Sequence, residues 1–369
     1  MAYTEKEARE LVVEAGRRLL AAGLVARTWG NVSARVTGGR FVITPSGMDY
    51  AALRPEQLVL VDIESCAYQG HIKPSSERGI HAGAYRLRPE VQFVIHTHQD
   101  NASVVGVAGE GLPDLGHARL GGWIPCAAYG LPSTNRLRRA VEAQVAAWPD
   151  SPAVLLRRHG ALCMGDSMED AFSVAEALED ACGEHIRLRA GGEPAPAGRV
   201  LDYGSSERRG DAFLLTLGGR RQAFWLEDRK LPLAAALHAA VYRSTNAQYV
   251  AHEAAPAVVA ASREGRALRP MLDDLAQLAG VDVRCVKGEP GEVARAMRGR
   301  NAVLLRDAGA LCMGAEASDL EALRFLLRKG CAARRFAAAA PGCRPLGRLD
   351  ALVQRTLFVA SYAGKKRLC

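Results

Sequence analysis

Apolar residues Ala8, Leu11, Val12, Ala15, Leu19 and Leu20 recur at helical spacing, with charged Glu10, Glu14, Arg17 and Arg18 between them. Thr4 and Glu7 form a capping-box pair ahead of this run, so the chain opens with an amphipathic helix. Further along the pattern changes. Val91-Gln-Phe-Val-Ile95 is a nearly unbroken apolar run of strand length, and Val154-Leu-Leu-Arg-Arg158 reads as a second strand. Before the first, Ile80, Ala84 and Leu87 mark another helix, and after the second Ser167 with Asp170 opens one more. Helical and strand patterns alternating in this way predict an α/β architecture.

Two stretches then recur. Ile80-His-Ala-Gly-Ala-Tyr-Arg86 matches Leu237-His-Ala-Ala-Val-Tyr-Arg243, and Ala153 to Gly165 matches Ala302 to Gly314. The second pair leads into Ser167-x-x-Asp170 in one copy and Ser318-x-x-Glu321 in the other, both read as helix caps. Matches of this length in the same order indicate tandem duplication of one α/β unit. The copies differ at particular polar positions. His159 faces Ala308, His98 faces Ala254 and Glu77 faces Ala234, whereas His96 keeps a counterpart in His252. A polar cluster is thus present in the first copy and dismantled in the second. The predicted domains are 1–190, a linker over 191–210 rich in Gly, Pro and Ser, a degenerate copy over 211–340 and a tail over 341–369.

The 369 residues suit two domains, and 49% hydrophobic with 24% charged residues is ordinary globular composition. A net charge of +8 suits a small anionic substrate. Arginines scattered through both halves, with no zinc-finger or basic-zipper spacing, argue against nucleic acid. Nine cysteines without a C-x-x-C pair read as reduced thiols. No signal peptide and no apolar run of membrane-spanning length is seen, so a cytoplasmic location without membrane association is expected.

The cluster lost from the second copy has metal chemistry. His96 and His98 directly follow the first strand run and point to one face. His159 closes the second run. His-x-His alone is a weak signal, but three imidazoles at neighbouring strand ends match a catalytic zinc site that keeps one open position. Glu77 supplies a nearby acid at the opening of a helix; its simpler role is a favourable first-turn charge. His81 lies on the same helical face, and because His238 repeats it where no metal site survives, it reads as structural. Three turns with small hydroxyl residues precede the histidine pair: Gly30-Asn31-Val32-Ser33, Thr44-Pro45-Ser46-Gly47 and Ser75-Ser76. Each could present backbone amides to an anion or be only a turn.

The ordered set Trp-Gly-Asn-Val-Ser-Ala-Arg35, Ile-Thr-Pro-Ser-Gly47, Pro-Ser-Ser-Glu77, Ile-His-Thr-His98, Ile-Pro-Cys-Ala127 and Arg-His-Gly-Ala161 resembles the class II aldolase/adducin family over residues 5–190. The resemblance implies a three-layer α/β/α sandwich around a mainly antiparallel sheet, usually in a four-fold oligomer with active sites between subunits. It implies zinc (Zn2+) on His96, His98 and His159, with Glu77 as a ligand that gives way to become the acid/base. Asn31, Ser46, Gly47, Ser75 and Ser76 match the family's phosphate-binding positions. The activity implied is aldol cleavage or synthesis of a phosphorylated ketose through a metal-stabilised enediolate. Epimerase, dehydratase and decarboxylase chemistry on the same scaffold stays open, as does an adducin-like assembly role for the second copy.

The tyrosine that family aldolases use to protonate the aldehyde has no match between Leu112 and Leu120, where Asp114, His117 and Arg119 stand; Tyr362 is the candidate from the tail. A homo-oligomer is expected, with the duplicated half taking a neighbouring subunit's place in a pseudo-dimeric pairing.

Overall fold

The structure is a computed structural model that describes residues 2–25, 29–194 and 200–366. It divides into two compact units, residues 1–191 with 339–343 and residues 192–338 with 344–369.

In the first unit the elements run α1 (Glu5–Ala21), β1 (Asn31–Val36), β2 (Arg40–Ile43), β3 (Val59–Asp62), α2 (Arg78–Leu87), β4 (Phe93–Thr97), α3 (Asp100–Gly106), β5 (Cys126–Ala127), α4 (Asn135–Ala147), β6 (Ala153–Leu156), β7 (Gly160–Gly165) and α5 (Met168–Ala190). The strands form one sheet in the order β3-β2-β1-β4-β7-β6-β5. Only the β5–β6 pair is parallel; the remaining neighbours are antiparallel. Thr4 caps α1 with the predicted box, and Ser167 caps α5.

Helices α2 and α4 cover one face. Ile80, Tyr85, Leu137, Val141 and Val145 pack there against Phe41, Ile43, Val94, Val154 and Leu162 of the strands. Each such large side chain taken from water contributes about 1.5–3 kcal/mol. Helices α1, α3 and α5 cover the other face. With both faces covered, all five residues of β4 are buried, which accounts for its unbroken apolar run. Leu87, expected on the buried stripe, closes α2 and is 39% exposed.

The second unit comprises β8 (Ser205–Arg209), β9 (Ala212–Leu217), β10 (Arg220–Trp225), α6 (Leu233–Ser244), β11 (Tyr249–Glu253), α7 (Pro256–Arg263), α8 (Asp273–Ala279), β12 (Cys285–Val286), α9 (Pro290–Met297), β13 (Ala302–Leu305), β14 (Gly309–Gly314), α10 (Ala317–Ala338) and α11 (Arg348–Lys366). Its sheet order, β10-β9-β8-β11-β14-β13-β12, reproduces that of the first unit strand for strand. The three-layer fold is therefore duplicated in tandem.

Three expectations change. The end of the 191–210 stretch is β8, bonded to β9 and β11, so the connector is shorter than predicted. Residues 348–366 of the expected tail form α11, held to α8 by Arg355 donating to the carbonyls of Gln277 and Leu278 at 3.0 and 2.8 Å. Helix α10 already begins at Ala317, which places Ser318 within its first turn rather than at its cap. Tyr362 lies in the last part of α11, where side chains fall outside the described residues.

Candidate active site

The site lies at the end of β4, the central strand. His96 is in β4, paired across to Asn31 of β1 and Leu162 of β7. His98 follows one residue past the strand and shares the face of His96 by strand alternation. His159 does not end β6, as its sequence position suggests. It occupies the tight turn between β6, which ends at Leu156, and β7, which begins at Gly160. Arg158 immediately before it adopts φ 66°, a left-handed conformation uncommon for a residue with a side chain. Gly160 lets this turn lie against β4: a Cβ there would stand 2.0 Å from the Thr97 carbonyl oxygen.

Glu77 comes from the opposite side, at the N-cap position of α2. Ser75 Oγ accepts from the Glu77 amide at 3.2 Å, fixing the turn that delivers the carboxylate. The helix start also favours a negative charge there.

These four side chains converge. One ligand atom from each of Glu77, His96, His98 and His159 lies within 4.8 Å of all the others. Glu77 Oε1 is 3.0 Å from His159 Nε2, and Glu77 Oε2 is 3.2 Å from His96 Nε2. The imidazole centroids are separated by 5.0, 5.0 and 4.4 Å. His96 Nδ1 is 2.9 Å from the Ala161 carbonyl oxygen, to which it must donate. Its Nε2 therefore carries the lone pair, directed at the centre. Three nitrogens and one carboxylate, with a hydrogen bond that orients one ring, fit a divalent transition metal. Burial opposes charge on Glu77, but His159 and His96 outweigh it and hold the carboxyl well below its usual range. It is a carboxylate at neutral pH.

The predicted anion turns are brought together on the near side of Glu77. Ser46 donates its amide to the Lys73 carbonyl and Ser75 to that of Thr44, at 2.9 and 3.0 Å, which sets the Ser46-Gly47 and Ser75-Ser76 turns side by side. Ser76 Oγ meets Ser133 Oγ at 2.7 Å. A cavity of about 170 Å³ beside Glu77 is lined by Ser76, Arg78, Ser133, Asn135 and Arg138. Asn31 is placed differently from these turns. Its side chain is buried, with Nδ2 3.3 Å from Glu77 Oε2 and Oδ1 2.5 Å from His81 Nε2.

Asp114, His117 and Arg119, which stand in place of the family tyrosine, are engaged elsewhere. Asp114 accepts from the Gly116 amide, His117 meets Glu184 at 3.2 Å, and Arg119 pairs with Asp170. Two neighbours of the site stand in the sequence motifs but were given no role of their own. Trp29 stacks on His98 with centroids 6.4 Å apart, and the Arg158 guanidinium lies 5.9 Å over the Tyr129 ring.

The corresponding place in the second unit is closed by its own backbone. His252 Nδ1 accepts from the Tyr203 amide at 3.3 Å, so its Nε2 donates to the Ala308 carbonyl at 2.6 Å. Both ring nitrogens are used, and Ala234, Ala254 and Ala308 offer no ligand.

Fold and constellation together define a metal-dependent α/β enzyme of the aldolase type. The profile of the class II aldolase and adducin N-terminal domain matches residues 10–186 and again 202–332, and the chain belongs to that family. It is 32% identical over 189 residues to a 5-deoxy-D-ribulose 1-phosphate aldolase of Bacillus thuringiensis, covering 50% of this chain and 87% of that protein. It is 34% identical over 181 residues to a 5-methylthioribulose-1-phosphate/5-deoxyribulose-1-phosphate aldolase of Escherichia coli, covering 48% and 83%. A solved L-fuculose 1-phosphate aldolase aligns with TM-score 0.48 and 28% identity over 53% of this chain and 91% of its own. Among the described residues no helix is long and apolar enough to cross a membrane.

Proposed function

We propose that the first unit cleaves and forms the carbon–carbon bond of a ketose 1-phosphate, with zinc held by His96, His98 and His159 and with Glu77 moving the carbon-bound proton. The observation that carries this reading is the convergence of three imidazoles and one carboxylate at the end of the central strand. The similarity to 5-deoxyribulose-1-phosphate aldolases supports a short ketose phosphate as substrate.

When bound, the divalent ion supplies Lewis-acid polarisation of the substrate's carbonyl and hydroxyl oxygens. In cleavage the C3–C4 bond breaks as the C4 hydroxyl passes its proton to the Glu77 carboxylate and becomes an aldehyde, and the electron pair delocalises from C3 into the C2 carbonyl. Glu77 returns a proton to C3, which releases dihydroxyacetone phosphate. In synthesis the carboxylate, already charged at neutral pH, takes that proton away. Such general acid–base catalysis is typically worth about 10²–10⁴-fold.

The Ser46-Gly47 and Ser75-Ser76 turns are proposed to hold the phosphate through the Gly47 and Ser76 amides and the serine hydroxyls, while the Asn31 side chain is committed to Glu77 and His81. Arg78 and Arg138 line the adjoining cavity. The second unit, with its ligands replaced, is proposed as a scaffold without metal.

The test is to incubate zinc-loaded protein with dihydroxyacetone phosphate in heavy water and follow the C3 proton by NMR. Stereospecific loss of that signal is expected. No exchange, in protein shown to hold one zinc, would rule out this donor and turn the search to decarboxylase, epimerase and dehydratase substrates.

A further inference from the structure

Behind Glu77 runs a buried line of polar groups that ends in the core. Asn31 links Glu77 to His81, His81 Nδ1 lies 2.7 Å from Ser33 Oγ, and Ser33 Oγ lies 2.8 Å from the Tyr85 hydroxyl. Ser33, His81 and Tyr85 are each at most 1% exposed. The donors along this line have one consistent direction. A carboxylate only accepts, so the Asn31 amide group donates to Glu77 and its carbonyl faces His81. His81 Nε2–H therefore donates to Asn31, leaving Nδ1 to accept from the Ser33 hydroxyl. Ser33 in turn accepts from Tyr85. Every group is satisfied only in this order, and the order starts from the negative charge on Glu77.

The second unit carries an internal control. Ser206 Oγ lies 2.6 Å from His238 Nδ1 and 2.8 Å from the Tyr242 hydroxyl, so the Ser–His–Tyr arrangement is duplicated. It stops there. The residue across from His252, in the register that pairs Asn31 with His96, is Gly204, whose carbonyl accepts from the His252 amide at 2.8 Å. A Cβ on Gly204 would stand 2.2 Å from the Thr216 carbonyl oxygen, so no asparagine fits without a shift. Glu77 is matched by Ala234, and His238 Nε2 is buried with no side-chain partner among the described residues. Packing therefore retains the triad in both units, whereas the extension through Asn31 accompanies the glutamate.

We propose that Asn31 and His81 are positioning residues that hold the Glu77 carboxylate against the three histidines, a role His238 does not have. This rests on the reading of Glu77 as metal ligand and proton carrier. Groups that orient metal ligands through hydrogen bonds typically account for about 10–100-fold in affinity or activity.

The experiment compares His81→Leu, His81→Gln, Asn31→Ala and His238→Leu in the full chain. Zinc affinity is measured by competition with a chromophoric chelator, thermal stability is measured alongside, and kcat and KM are measured for cleavage of a ketose 1-phosphate. In His81→Leu and Asn31→Ala, zinc affinity is expected to fall about tenfold or more. In His81→Leu kcat falls with little change in KM, and His81→Gln, which keeps a donor toward Asn31, restores most of both. His238→Leu is expected to lower the melting temperature while leaving zinc affinity and kcat at wild-type values. Wild-type zinc affinity in a folded His81→Leu, or an equal loss in His238→Leu, would overturn the proposal. Should His81→Leu fail to fold, Asn31→Ala, which leaves the triad intact, decides the question by the same measure. The zinc competition needs no substrate, so a wild-type protein that binds zinc but cleaves no ketose phosphate would refute the reaction without touching this inference.

Discussion

His159 and Ala308 occupy the same position in two corresponding turns, each directly after a residue in the left-handed region: Arg158 at φ 66° and Asp307 at φ 64°. The left-handed turn is thus present in both units, whereas the histidine stands only in the first. In the second unit the Ala308 carbonyl accepts from His252, so returning a histidine there leaves His252 occupied. The chain is expected to bind one zinc, and Ala308→His to leave that number unchanged. Metal analysis of protein dialysed against trace zinc checks both statements; two zinc ions in the wild type would contradict the reading of the second unit.

The proposed ligands and the proposed proton carrier are separated by mutation. His98→Ala is expected to abolish zinc binding and turnover together. Glu77→Gln removes the charge and the exchangeable acid but leaves three imidazoles, so zinc stays bound at saturating metal, at an affinity lowered at least as far as in Asn31→Ala, and turnover falls by about 10²–10⁴-fold. Parallel metal content and kcat distinguish the two. Full activity in a metal-free His98→Ala protein would refute the metal assignment.

Gly160 and Gly309 each let a turn press against a central strand. A methyl group added at either would meet backbone, 2.0 Å from the Thr97 oxygen in one and 2.3 Å from the Glu253 oxygen in the other. Gly160→Ala and Gly309→Ala should each destabilise the protein by about 1–3 kcal/mol. Only Gly160→Ala should weaken zinc binding, because Thr97 stands between two ligands. Denaturant unfolding beside zinc titration tests this; equal zinc affinity in both variants would show that the turn does not set the ligand geometry.

Burial depresses His238 to about 4 in the folded protein, against an ordinary value near 6.5. The unfolded chain therefore binds the extra proton first. The stability associated with neutral His238 is complete above pH 6.5 and is lost as pH falls toward 4. The loss amounts to about 3 kcal/mol at the acid end of that window. His238→Leu should flatten that part of a plot of melting temperature against pH. An unchanged acid slope would show that the buried imidazole is not the group responsible.

The grouping of His96, His98 and His159 with Glu77 was legible because strand alternation places His96 and His98 on one face, and because the second copy differs at His98, His159 and Glu77. The partnership of Asn31 was not. In sequence it reads as part of a Gly-Asn turn, whereas its role depends on strand register that brings it opposite His96 and above His81. The β8 strand was read as connector for a physical reason. Ser205-Ser-Glu-Arg-Arg209 has no apolar alternation and buries only Ser206, so its extended form comes from hydrogen bonding to strands on both sides. Helix α11 misled similarly. It buries Ala351 and Gln354 while Leu349 and Leu357 remain 73% and 62% exposed, so its apolar residues do not mark the packed side.

The one-way order of donors behind Glu77 also governs isotope traffic. His81, kept neutral by burial with its affinity for a proton depressed to about 3, cannot take one up, and Asn31 presents its amide rather than its carbonyl to the carboxylate. In the proposed reaction a deuteron taken from carbon by Glu77 therefore has no exit along the line of Asn31 and His81. It can go back to carbon or pass to solvent on the side of the cavity beside Glu77, so the share of label returned to product reports how far that side exchanges with water during a turnover.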